Sequence, residues 1–216
     1  MMPPTVKVLI LGAQIFAEEV ADLVQQTPGL ELKGFVENLS PDRCQAQLLG
    51  KPVLWVSELA TLEEKCHLLC GIGTNRRREY VGQVEHYNLP FATLIHPSAR
   101  ISETSNVGTG SIISVNAVIA AHSSLGVHAI INRGVLIGHH TQIGDYVTIA
   151  PGANIAGKCV VEDGCYISMG AVIIDRVRIG ANSVVGAGAV VTKDVPANVQ
   201  VVGMPARVVK EGVRGR

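Results

Sequence analysis

The stretch IGHHTQIGDYVTIAPGANI, residues 137–155, sets Ile137, Ile143, Ile149 and Ile155 six residues apart. The same spacing runs outward in both directions without gap or insertion. An isoleucine, leucine or valine stands at every sixth position from Ile95 through Ile101, Val107, Ile113, Ile119, Leu125 and Ile131, and onward through Val161, Ile167, Ile173, Ile179 and Val185 to Val191. Four residues after each aliphatic comes a small residue, from Ala99 and Ser105 to Ala189 and Val195, none larger than valine. A six-residue period matches neither the 3.6 of a helix nor the 2 of an ordinary strand, and a fixed repeat of this kind marks a solenoid.

On an extended segment the small residue and the next aliphatic, two positions apart, point to the same side. The three residues that follow must then turn a corner, and three sides close a triangle. Successive coils pair as parallel strands about 4.8 Å apart, so seventeen hexads predict a prism of nearly six coils, about 27 Å tall. Each inward aliphatic contributes roughly 1.5–3 kcal/mol by burial. That supplies a core although only 4% of the residues are aromatic.

The 216 residues carry eighteen basic and eighteen acidic side chains, with no run of like charge that would serve as a nucleic-acid arm. The longest early apolar run, Val8 to Leu11, is far too short for a membrane span and lacks a cleavage pattern, so a cytoplasmic protein is expected. Five cysteines, an odd count, give no disulfide framework. Cys159 and Cys165 fall on inward small-residue places and are expected to act as small hydrophobes. Cys66 and Cys70, four apart, could share a helical face, but with no further cysteine nearby a metal site is not expected.

The first ninety residues follow another rule. Val6 to Leu11 reads as a buried strand, Phe16 to Gln26 as a helix with its stripe at Phe16, Val20, Leu23 and Val24, and Leu30 to Val36 as a second strand. Pro52 to Val56, Leu68 to Ile72 and Phe91 to Ile95 read as further strands, with a helix over residues 75–86. Alternating strands and helices predict an α/β, Rossmann-like N-terminal domain over residues 1–94, followed by the prism and a C-terminal cap over residues 95–216.

Ligands of such a sheet sit beyond the carboxyl ends of its strands. Here that means Gly12 to Ala17, Glu37 with Asn38, and Gly73 to Arg76, three loops expected to open on one crevice. The first loop lacks the second and third glycines of a dinucleotide fingerprint, which argues against nicotinamide chemistry. Arg76, Arg77 and Arg78 are candidates for a phosphate, although adjacent helical arginines point in three directions; the competing reading is a solvated helix start.

Corner residues of a prism are exposed, and His122, His128, His139 and His140 fall on corners. Residues eighteen apart share a column, so Gly157 lies over His139, and His140 lies over His122 within contact range. A histidine beside a cleft is suited to general-base work near neutral pH. The glycine leaves room for a ligand, and its N–H can face an oxyanion where strand pairing does not consume it. The alternative is a corner histidine that only decorates the surface.

The H-P-S-A junction at His96 to Ala99, the unbroken hexads, the V-T-K-D-V-P run at Val191 to Pro196 and the V-G-M-P-A-R ending at Val202 to Arg207 make the resemblance specific. Over nearly its whole length the chain resembles the bacterial sugar acyltransferases of the left-handed parallel β-helix superfamily, in particular the nucleotide-aminosugar N-acetyltransferases and sialic-acid O-acetyltransferases. The left hand is implied by the resemblance alone. So is the following assignment: acetyl-CoA as co-substrate, a nucleotide-sugar as acceptor, no metal, and a homotrimer with sites between subunits. Position by position, the catalytic histidine falls on His139 and a substrate-facing asparagine on Asn132. The acetyl-CoA contacts fall on Thr148, Gly157, Met169 and Ala187, and the nucleotide-sugar contacts on Gln14, Ile15, Glu37, Asn38, Gly73 and Asn75. Two departures stand out. The family's first loop is rich in glycine and histidine and its second carries paired aspartates, and its base is commonly followed by an acidic residue where this chain has His140.

N-acetylation of an amino-sugar is the expected reaction, with sugar O-acetylation as the alternative. Two readings from other classes share the prism. A γ-type carbonic anhydrase would draw zinc to His122, His128 and His140, and a non-catalytic scaffold would leave nucleotide binding to the first domain.

Overall fold

The structure, a computed structural model, describes residues 5–216. It divides into two compact units, one ending at Pro97 and the other running Ser98–Arg216. In the first, strands β1 (Val6–Leu11), β2 (Leu30–Glu37), β3 (Val53–Trp55) and β4 (His67–Cys70) form a parallel sheet in the order β3-β2-β1-β4. Val8 to Leu11 is a continuous buried run, as expected for an inner strand of a parallel sheet.

Helix α1 (Ile15–Gln26) buries Ala17, Val20, Ala21, Leu23 and Val24. Phe16 is left out of that stripe and turns to Gly73, where an added Cβ would meet its ring at 3.4 Å. At Gly71, just past β4, a Cβ would come within 2.9 Å of the Ala17 Cα, so only glycine lets α1 approach this closely. Helix α2 spans Arg77–Val84, shorter than expected; it tightens to a 3₁₀ turn over Glu85–Tyr87 and stops at Asn88, whose φ is 54°. The expected strand over residues 91–95 reduces to a bridge from Phe91 to Leu68 and the pair Leu94–Ile95. Cys70 ends β4 and Cys66 precedes it, so the two do not share a helical face; both are buried.

The second unit is the prism. One face carries the strand pairs Asn106–Val107, Ser124–Leu125, Gln142–Ile143, Val160–Val161 and Arg178–Ile179. A second carries Ile112–Ile113, Ile130–Ile131, Thr148–Ile149, Tyr166–Ile167 and Val184–Val185. The third carries Arg100–Ile101, Val118–Ile119, Leu136–Ile137, Asn154–Ile155, Val172–Ile173 and Val190–Val191. Every ladder within a face is parallel with an eighteen-residue register, such as Ile137 opposite Ile155. From Ile113 to Val191 the inward aliphatics are all buried. Ile95 is 39% exposed and falls in the first unit, so the sequence register outruns the closed core at its start.

Backbone conformation repeats with the same period. From Gly110 to Gly188, every sixth residue has positive φ, including Asn116, His122, His128, His140, Tyr146, Lys158, Arg176 and Asn182. Corner polar groups are tied by inward hydroxyls. Thr141 Oγ1 donates to the Ala156 carbonyl at 3.0 Å and accepts the Cys159 N–H at 3.3 Å, and Ser123 does the same with Gly138 and Thr141. Cys159 Sγ continues the column toward the Ile174 carbonyl at 3.1 Å, and Cys165 Sγ lies 3.1 Å from the Gly180 carbonyl. The two thiols therefore act as weak donors as well as small apolar groups.

The V-G-M-P-A-R segment forms the turn of an antiparallel hairpin, Val199–Gly203 against Ala206–Glu211, with a cis bond between Met204 and Pro205. Beyond it the chain runs back along a corner. The Val213 N–H donates to the Asn198 carbonyl and the Gly215 N–H to the Asn182 carbonyl.

Candidate active site

His139 and His140 lie on the corner that follows Leu136–Ile137. Their Nδ1 atoms are 3.0 Å apart and the rings meet edge to face at 89°. One nitrogen must donate and the other accept, so each ring has its Nδ1 committed to the other. The Nε2 edge of His139 faces the next coil, where a Cβ added to Gly157 would fall 2.8 Å from it. The missing side chain at Gly157 is what keeps that nitrogen accessible. Among the described residues the Gly157 N–H donates to no protein acceptor, while its carbonyl accepts the Arg176 N–H at 3.0 Å. Strand pairing has left this donor unused.

His140 packs on His122 with ring centroids 4.8 Å apart and a tilt of 49°. The contact follows from the stacking of residues eighteen apart. Partial desolvation, and then the charges that His122, His139 and Lys158 carry or would carry, hold the His140 imidazole below its ordinary value. Like charges close by disfavour its protonated form.

The corner on the other side of the third face holds Met169 and Ala187. Met169 is 61% exposed, and both residues line a cleft of about 760 Å³ together with Tyr166, Lys210, Arg214 and Arg216. The Arg216 guanidinium lies 5.1 Å from the centre of the Tyr166 ring. Asn132 belongs to this same corner, its amide donating to the Ile149 carbonyl at 2.9 Å, and Thr148 is buried on the second face. Within one chain, then, His139 and Gly157 come together at one edge of the third face, and Asn132, Met169 and Ala187 lie at its opposite edge. Between the two edges the outward residues Val118, Leu136 and Val172 are exposed. His128 stands on another corner, stacked on Tyr146 at 5.0 Å; no three His, Cys, Asp or Glu side chains among the described residues converge on one point.

In the first unit the three strand-end loops do line one crevice, of about 500 Å³. Gln14, Ile15, Glu37, Asn38 and Gly73 border it, and Asn75 does not. Ile15 and Leu39 stand 87% and 74% exposed at its rim. Burial alone would raise the Glu37 carboxyl, but the Arg43 guanidinium at 2.9 Å and the N–H groups of Leu39 and Asn38 hold it below the ordinary carboxylate range. Its charge is thus largely committed to the protein itself. Asn38 Nδ2 donates to Gln83 at 2.7 Å, and the Tyr80 hydroxyl to the Val36 carbonyl at 2.8 Å. The three arginines diverge as helical geometry requires: Arg76 borders the crevice, Arg77 is buried with its Nη1 on the Thr74 carbonyl, and Arg78 is exposed. Sequence reading missed Arg43, Tyr80 and Gln83, which come from a 3₁₀ turn and from α2. For Tyr80 and Gln83 the available signal was their spacing three apart on α2, which sets them on one face; Arg43 had none.

Parallel hexapeptide coils stacked behind a small α/β domain are the architecture of an acyltransferase of the left-handed β-helix class. Residues 158–193 match the family described as bacterial transferase hexapeptide (six repeats), and residues 7–83 match the PglD N-terminal domain. The chain belongs to the left-handed β-helix sugar acetyltransferases that carry this N-terminal domain. It is similar to the perosamine N-acetyltransferase of Caulobacter crescentus, solved in complex with CoA and GDP-perosamine, at 30% identity over 95% of this chain and 97% of that one, TM-score 0.87. WeeI from Acinetobacter baumannii AYE is 32% identical over 95% of this chain and all of the other, TM-score 0.86. The acetyltransferase domain of PglB from Neisseria gonorrhoeae FA1090, in complex with acetyl coenzyme A, is 28% identical over 95% and 100%, TM-score 0.84. A comparison with curated proteins returns no match.

Among the described residues no helix is long and apolar enough to cross a membrane.

Proposed function

We propose that the protein transfers the acetyl group of acetyl-CoA to the amine of a nucleotide-linked amino-sugar, with His139 as general base. The observation that carries this reading is the corner itself: His139 Nδ1 is engaged by His140, its Nε2 is open beside Gly157, and the Gly157 N–H is unused. The similar Caulobacter enzyme, crystallised with CoA and GDP-perosamine, supplies the substrate class.

The amine nitrogen attacks the thioester carbonyl carbon while His139 Nε2 takes its proton. The carbonyl electron pair moves to oxygen, which the Gly157 N–H stabilises. Collapse breaks the C–S bond, and the imidazolium returns the proton to the departing thiolate. No covalent enzyme intermediate is needed. The cleft at Met169 and Ala187 suits the coenzyme, since Lys210, Arg214 and Arg216 bring cationic groups to its phosphates.

The crevice suits the nucleotide. Ile15 and Leu39 offer apolar surface to a base, and Arg76 a guanidinium to a phosphate. Glu37 serves as an internal anchor of its loop, leaving Asn38 and Gln14 as the polar contacts. We also infer a homotrimer. The exposed Val118, Leu136 and Val172 make this face largely apolar, with Asn154 the polar residue among them, and both candidate corners border it, so packing copies on this face brings the coenzyme corner of one to the histidine corner of another.

The test is thiol release from acetyl-CoA with a panel of GDP-, UDP- and dTDP-linked 4-amino-sugars. One member should give saturable turnover, and His139→Ala should lower kcat/KM by about 10²–10⁴-fold while far-UV dichroism stays unchanged. Full activity of that variant would remove His139 from the mechanism; turnover only with a sugar hydroxyl would convert the assignment to O-acetylation.

A further inference from the structure

The inference rests on His139 as the base, and the tautomer of His139 decides whether its Nε2 is basic. In neutral imidazole one nitrogen carries the proton and the other the lone pair. For Nε2 to accept a proton from substrate, the proton of His139 must sit on Nδ1. That N–H points at His140 Nδ1, 3.0 Å away, so His140 must present a lone pair there and carry its own proton on Nε2. The opposite arrangement, with His140 donating, would place the proton of His139 on Nε2 and switch the base off.

The groups around His140 all bear on this choice. His139 faces it edge on along the corner, His122 covers its ring from the neighbouring coil at 4.8 Å, and Lys158 is the next residue of its column on the other side. No carboxylate is among the groups that perturb it. A second positive charge in this column would be opposed by Lys158 and by any proton on His122 or His139.

We propose that His122, His140 and His139 form an all-imidazole relay in which neutral His140 accepts the Nδ1–H of His139 and thereby fixes the base-competent tautomer. His140 is a positioning residue, and His122 positions His140 in turn. During transfer His139 becomes doubly protonated and the His140 lone pair receives its Nδ1–H, a neutral stabilisation weaker than a carboxylate would give. Protonation of His140 replaces that lone pair with an N–H, and two N–H groups cannot face each other across 3.0 Å. Acid therefore inactivates the relay by either of two protonations.

Nitrogen-15 NMR of the full-length protein, with ring assignments from His139→Asn and His140→Asn, reads the tautomers directly. Expected near pH 7.5 are Nδ1–H for His139 and Nε2–H for His140. Nε2–H on His139, or a charged His140, would overturn the relay whatever the substrate proves to be.

The pH profile of kcat/KM gives the second readout. His140→Asn keeps an acceptor and suits the positive φ of 57° at this corner, so it should hold activity within about tenfold, with a single protonation on its acid limb. His140→Asp should move that limb to higher pH by about one unit, because an anion favours the imidazolium. His140→Ala should lose on the order of 10²-fold in kcat, with KM for acetyl-CoA unchanged. If His139→Ala is inactive while all three His140 variants keep the wild-type profile, the base assignment stands and the relay is wrong. If His139→Ala is fully active, the base assignment itself fails.

Discussion

The prism and the α/β unit reach a binding geometry by opposite routes. In the prism, a side chain's place follows from its number: eighteen residues separate His122 from His140 and His139 from Gly157, and both pairs touch. In the crevice no number predicts a contact. Glu37 is held by Arg43 from a 3₁₀ turn and by two backbone N–H groups of its own loop, and Asn38 by Gln83 from α2. A repeat makes neighbours of residues that need no other reason to meet, whereas a single-copy loop must be built contact by contact. The reacting groups sit in the region where geometry is cheap to maintain, and the specificity loops where each residue can change alone.

The contrast can be broken most severely at Gly157. Gly157→Ala adds a methyl 2.8 Å from His139 Nε2 at a residue whose φ is ordinary. Its expected effect is a loss in kcat/KM of about 10²–10⁴-fold, the full value of the base, with the melting temperature within a few degrees of wild type. Retained activity would mean the register does not govern the site.

Next in size is Glu37→Gln, which tests the contact-by-contact side. Removing a carboxylate that accepts three internal hydrogen bonds should destabilise the first unit by about 2–3 kcal/mol at pH 7, read by urea denaturation. The sign of its pH dependence follows from the depressed pKa. The stabilisation is present above the unfolded carboxylate value near 4.5 and is lost as pH falls through the lower, folded one. The variant should lack this acid-dependent loss. An unchanged acid limb would show that the Glu37 carboxylate is not held below its unfolded value.

The smallest effect is expected at Thr141→Val, which keeps the shape but leaves the Cys159 N–H and Ala156 carbonyl without their hydroxyl. About 1–3 kcal/mol should be lost from the prism. Ser123 and Thr141 belong to the same column as Cys159, so a loss confined to one coil would sharpen the view that coils are stabilised by their nearest neighbours.

The sequence was legible to the extent that period carried the information. The inward aliphatics from Ile113 to Val191, the corner positions and the stacking of His140 on His122 all followed from counting, and β1, β2 and α1 from hydrophobic pattern. Counting could not turn a ring. The Nδ1 contact between His139 and His140 depends on side-chain torsions, which adjacency in sequence does not set. Pattern also failed where tertiary pairing overrode it. Cys66 and Cys70 have helical spacing but precede and end a strand, and Phe16 has a core position on α1 but turns to Gly73. Nothing in composition announced that the tail after Glu211 would run back past Asn198 and Asn182, because its two backbone bonds to their carbonyls involve no side chain.

The positive-φ corners act as a steric filter on what this molecule can evolve. Of the fourteen places from Gly110 to Gly188, eleven hold glycine, asparagine or histidine, residue types that tolerate such a backbone most readily. Histidine is the member of that short alphabet that titrates near neutral pH. A fold that must pick its corner residues from so few letters will keep setting imidazoles one above another at coil spacing, so the raw material for a proton relay arrives with the architecture before any selection for chemistry.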